Sequence, residues 1–194
     1  MNPLKSLPPE KARGFTLTEV MFVIALFSVL LVGIFTILRV GSEQSDLSQT
    51  KMTLQESARE ALNKMSQEIR QSAPDKVTLP ANGLSIQLTI PDPATLVDSG
   101  YGVNWAGAHT VQYARGGQGN RQILRTDQTS NQISVIANDV ASLQFTGDAT
   151  PPHVITITVG TQRTLASGRA VPANPLQLTA QAEIRNPCQT PTCT

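Results

Sequence analysis

Hydrophobic residues along this chain follow three successive patterns. From Val20 to Leu38 they form a run without a charge, interrupted only by Ser28, Gly33 and Thr36. From Leu47 to Ile69 they recur at helical spacing, as Leu47, Leu54, Ala58, Ala61, Leu62, Met65 and Ile69, while Glu56, Arg59, Lys64, Glu68 and Arg70 fall on the opposite faces. Beyond Pro74 the period changes to two, as in "GLSIQLTI", "HVITITV" and "LQLTAQAEI".

The first pattern predicts a membrane helix. At ~1.5 Å per residue, Val20–Leu38 extends ~28 Å, close to the thickness of a hydrocarbon core. It is longer than the ~7–15-residue core of a secretory signal and ends in "LRVGSEQSD", which offers no small-x-small cleavage site. The segment is therefore expected to be retained. No proline stands between Pro9 and Pro74, so the first two patterns join into a helix from about Thr16 to about Ser72, with Gly33, Gly41 and Ser42 as soft points. Pro74 ends it, because the residue before a proline is pushed out of helical geometry.

The third pattern predicts strands. Leu84, Ile86, Leu88 and Ile90 share one face, as do Ile155, Ile157 and Val159, and Leu176, Leu178, Ala180, Ala182 and Ile184. "HTVQYAR", "RQILRT", "QISVIA" and "VASLQFT" are further short strands, and "GGQGN" at residues 116–120 is a hairpin turn. The fold class is α+β: a long N-terminal helix whose second half packs its apolar stripe on an antiparallel sheet.

Charge adds a direction. The 194 residues carry 15 basic and 14 acidic side chains. Lys5, Lys11 and Arg13 precede the apolar run against the single Glu10, and only Arg39 follows it directly, which places the N-terminus in the cytoplasm and the rest outside. After Pro74 seven basic residues meet seven acidic ones, so no excess drives phosphate binding, although Arg115, Arg121 and Arg125 fall together across one hairpin. Cys188 and Cys193 stand close together in "CQTPTC". They are expected to close a small disulfide loop, which needs an oxidising compartment; half a metal site is the alternative, but His109 and His153 are both distant in sequence.

No constellation for catalysis is visible, and no cofactor is expected. The histidines begin predicted strands, no nucleophile-elbow or zinc signature occurs, and the aspartates fall in turns without calcium-loop spacing. Trp105, near Tyr101, suits either a contact loop or a plug over the sheet end.

Glu19 remains, a carboxylate at the start of the membrane run. Thr16 to Glu19 fits a capping box, and a carboxylate there also meets the positive end of the helix dipole. The larger arrangement is a basic leader, Gly14, Phe15, Glu19 and an apolar helix. It resembles the class III signal of type IV prepilins. The resemblance implies cleavage between Gly14 and Phe15 by a membrane prepilin peptidase, methylation of the Phe15 amine, and a role for Glu19 as an assembly register that meets a neighbour's new amine. It divides the chain into a cleaved leader (1–14), a filament-core helix (15–40), its amphipathic continuation (41–73) and an extracytoplasmic head (74–194).

Further segments, "ALNKMSQEIRQSAP", "QILRT", "VIANDVASLQF" and "AEIRN", are similar to PilW-type minor pilins and GspJ-like minor pseudopilins. The implied partners are other major and minor pilins through residues 15–40, the prepilin peptidase, an inner-membrane assembly platform and the membrane itself. The implied location is the bacterial inner membrane and then a pilus or pseudopilus. A membrane-anchored adhesin or DNA-binding module and a tethered periplasmic enzyme are the rival readings. One departure from the resemblance is the missing proline of major-pilin membrane helices, whose neighbourhood here reads "GIFTIL".

Overall fold

The computed structural model describes Gly14 and residues 16–165 and 168–188. Contacts divide the chain into two compact units, Met1–Asp46 and Leu47–Thr194. Helix α1, Leu17–Gln71, supplies the described helix of the first unit and opens the second. It runs through Gly33, Gly41 and Ser42 as regular α-helix.

In the first unit the apolar run stays exposed throughout, and an 18-residue window reaches a mean hydropathy of 2.9. A helix apolar on every side belongs in lipid or among other helices. Its hydroxyls are already satisfied: Ser28 donates to the Ile24 carbonyl and Thr36 to that of Val32, each at 2.8 Å. Such back-bonding lets a polar side chain reside in hydrocarbon without an unpaired donor.

In the second unit, Leu54, Ala58, Ala61, Leu62, Met65 and Ile69 are buried, while Leu47 is only half-buried. The helix ends as Pro74 opens a short 3-10 turn, Pro74–Lys76. The Asn186 side-chain amide donates to the Gln71 carbonyl at 2.5 Å, occupying one acceptor that the helix end leaves open.

The strands form two antiparallel sheets rather than one. The first contains β1 (Val77–Thr78), β2 (Ser85–Ile90), β3 (His109–Gly116), β4 (Gln122–Asp127) and β5 (Gln132–Ala137), in that spatial order. The second contains β6 (Val140–Gly147), β7 (Val154–Thr164) and β8 (Ala170–Glu183), also in order. The chain changes sheets at Asn138 and Asp139, the latter at φ +57°. Consecutive strands pair in sequence order, so both sheets are simple meanders, although the β2–β3 connection, from Pro91 to Ala108, is long and holds a 3-10 turn at Pro93–Thr95.

Period two holds along most strands and breaks at the register shifts near Val140 in β6 and Thr161 in β7. Ile86, Leu88 and Ile90 are buried, but Leu84 precedes β2 and is exposed, contrary to expectation. The inner faces of both sheets and the helix stripe share one core, in which Tyr113, Phe145, Met65 and Ile157 are fully buried. Backbone bonds knit the sheets together: Phe145 N–H donates to the Gly83 carbonyl at 2.8 Å and Val140 N–H to that of Arg121 at 2.9 Å. Gly83 lies at φ +63°, and a Cβ there would approach the Phe145 carbonyl oxygen to 2.4 Å. Only glycine meets both demands.

Candidate functional site

At the start of α1, the Glu19 N–H reaches the Thr16 hydroxyl at 3.3 Å and the Thr16 carbonyl at 3.1 Å. The forward half of the expected capping box is thus formed, with Glu19 in the first helical turn. Gly14 is exposed, and a Cβ on it would meet nothing within 4 Å. Phe15 and the basic leader lie outside the described residues.

Among the candidate residues of the head, Cys188 lies just beyond β8 and Cys193 outside the described residues. His109 opens β3 half-buried, and His153 is exposed immediately before β7. The described residues contain no group of three metal-ligating side chains. Trp105 is half-buried in the β2–β3 connection, with the Lys76 ammonium 6.0 Å from its ring centroid, whereas Tyr101 is exposed.

The hairpin arginines are committed internally. Arg115 donates to the Ala141 carbonyl, and Arg121 to the Gln162 carbonyl and, at 2.9 Å, to the Thr164 hydroxyl. Both therefore tie the first sheet to the second. Arg125 turns inward to Glu68 on the helix, with Nε 3.0 and 3.2 Å from the two carboxylate oxygens. The Tyr113 hydroxyl donates to the same carboxylate at 2.5 Å.

This Glu68–Arg125–Tyr113 cluster is the main polar feature of the core. Sequence periodicity places Glu68 on the polar face of the helix; the structure places it at the stripe's border, with 14% of its side chain exposed against 17% for Arg125. Burial, then the bond to and the charge of Glu68, push the Tyr113 hydroxyl well above the ordinary tyrosine range. Burial works against the Arg125 charge, and Glu68 outweighs it, so the guanidinium is held above its ordinary value. A signal for the cluster did exist. Arg125 alternates with Ile123 and so faces the core, where a charge requires a partner.

A 580 Å³ depression lies between Pro74–Ala81 and Phe145–Pro152. Its polar lining includes Asp75, Thr78, Thr146 and Thr150.

At the N-terminus a comparison with known families agrees with the pattern read there. Residues 10–35 match the family described as "Prokaryotic N-terminal methylation motif". Neither a curated protein nor a solved structure matches the chain. The motif, followed by an apolar helix and an α+β head, supports a type IV pilin-like or pseudopilin-like protein that a prepilin peptidase processes.

Proposed function

We propose that this chain is a minor type IV pilin, a non-enzymatic structural subunit. It is inserted in the inner membrane with its N-terminus cytoplasmic, cut between Gly14 and Phe15, methylated on the new amine, and drawn into a pilus or the complex that primes one. The observation that carries this reading is the methylation motif at residues 10–35 lying directly on an exposed apolar helix.

Physical reasoning supports the division of labour. Membrane helices gain little from one another by hydrophobic burial, so packing and polar register must select the arrangement. An unpaired carboxylate at the edge of the apolar run carries a cost that rises with its depth in the bilayer. Near a neighbour's Phe15 amine Glu19 recovers that cost, and only at one axial stagger. The head contributes surface rather than catalysis, and Cys188 with Cys193 closes its C-terminal loop in the oxidising periplasm. A minor pseudopilin of a secretion system shares the same signal; recovery of this chain in sheared surface filaments distinguishes the pilus from the short pseudopilus.

Gly14→Arg tests the reading. A bulky cation at the cleavage site should leave the full-length precursor in the membrane. Mature-sized protein in that variant would remove the signal's assignment.

A further inference from the structure

Residues 80–84 read "PANGL" and hold the one Asn–Gly pair of the chain, Asn82 and Gly83. Such a pair carries latent chemistry. The Gly83 nitrogen, once it loses its proton, can attack the Asn82 side-chain amide carbon, because glycine has no Cβ to obstruct the approach. Every other asparagine precedes a residue with a side chain.

The fold demands both members of this pair. Gly83 sits at positive φ against the Phe145 backbone, where a Cβ has no room. The Asn82 Oδ1 accepts from the Leu84 N–H at 3.1 Å, an Asx turn that supports the bend. A reactive dipeptide is therefore built in, and its surroundings decide whether it reacts.

Those surroundings restrain it. The peptide unit between Asn82 and Gly83 is bonded on both sides: its N–H donates to the Pro80 carbonyl at 2.8 Å, and its C=O accepts from the Gln144 side-chain amide at 3.1 Å. The next carbonyl, that of Gly83, accepts from the Phe145 N–H at 2.8 Å. Gly83 is buried, whereas Asn82 is exposed. Attack needs the nitrogen stripped of its proton and turned toward the side chain. Here the proton is engaged, and the unit cannot turn without releasing Pro80 and Gln144. Gln144 and Phe145 belong to β6, so two of the restraints come from the second sheet.

We propose that Asn82 is a site of spontaneous deamidation that the closed head holds shut and that separation of β6 from the 80–84 bend opens. In the step, a bond forms between the Asn82 Cγ and the Gly83 nitrogen, the Cγ–Nδ2 bond breaks, and ammonia leaves with the proton that the nitrogen gave up. Solvent water then opens the cyclic imide at either carbonyl, giving aspartate or isoaspartate with no change of oxidation state. The isoaspartate product adds a methylene to the main chain at the bend where the two sheets are tied. Conversion runs one way in water, so it records an opening of the head. It does not depend on how the N-terminus is processed.

The test incubates the detergent-solubilised full chain in mildly alkaline buffer, with and without denaturing urea. The peptide containing Asn82 is followed by mass spectrometry, with isoaspartate distinguished by electron-transfer fragmentation. Native conversion should be at least about tenfold slower than conversion in urea, since it proceeds only through the open fraction. Gln144→Ala removes one restraint at an exposed position and should speed native conversion severalfold. Gln144→Glu, which keeps the shape but loses the donor, should do the same. Gln181→Ala, an exposed glutamine of β8, is the control and should leave the rate unchanged. The proposal is overturned by a native rate within about tenfold of that in urea, by no acceleration in either Gln144 variant, or by equal acceleration in Gln181→Ala.

Discussion

Glu68→Ala offers the sharpest examination of how the head is held to its helix. The carboxylate accepts from Tyr113 at 2.5 Å and from Arg125 at 3.0 Å, with both ion-pair partners more than four-fifths buried. Truncation leaves the Arg125 charge without its counterion, a change that costs ~3–5 kcal/mol when a buried pair is broken from one side. It also strands the hydroxyl of fully buried Tyr113, but the two losses share one site and should not be added. For a head of this size, roughly 2–4 °C is lost per kcal/mol, so the thermal midpoint should fall by roughly 6–20 °C. The fluorescence of Trp105, the only tryptophan, reports the transition in the detergent-solubilised full chain. Removing both charges as Glu68→Met with Arg125→Met should recover much of the loss, because no unpaired charge then remains. A drop below ~1 kcal/mol for Glu68→Ala, or no recovery in the double variant, would refute the assignment of a buried, coupled pair.

Three further outcomes follow from the same structure. Glu19→Val should preserve cleavage but reduce recovery of the chain in sheared filaments severalfold, and undiminished recovery would remove the register role. Because the folded-state pKa of Tyr113 is raised, its contribution is complete below the unfolded value of about 10 and declines as pH rises above it. Urea titrations should therefore show stability falling above pH ~10, with a smaller decline in Tyr113→Phe. Gly83→Ala should destabilise the head by at least ~1–2 kcal/mol, since it combines a positive φ with a backbone collision; a midpoint in urea unchanged from the parent would contradict the geometry.

Much of this fold was legible from periodicity because periodicity reflects burial. The apolar stripe from Leu54 to Ile69 and the strands from Ser85 to Glu183 follow directly from it. What periodicity does not encode is which strands pair. The division into two sheets occurs at Asn138–Asp139, where neither residue is a glycine or proline, and it depends on long-range bonds such as Phe145 to Gly83. Glu68 escaped for a related reason. At the border of the stripe its direction is decided by Arg125 and Tyr113, which lie 57 and 45 residues further along the chain. Leu84 is exposed although it continues the alternation, because the strand begins one position after it, at Ser85. The N-terminal signal was legible for the opposite reason, since Gly14, Phe15, Glu19 and the apolar run are contiguous and require no tertiary contact to be recognised.

Processing before the membrane helix is the event on which the functional account depends, and mass spectrometry of the native protein's N-terminus measures it directly. The account predicts a chain that begins with N-methylated Phe15 and retains Val20–Leu38. A chain still beginning at Met1, or one trimmed beyond Leu38, would contradict it.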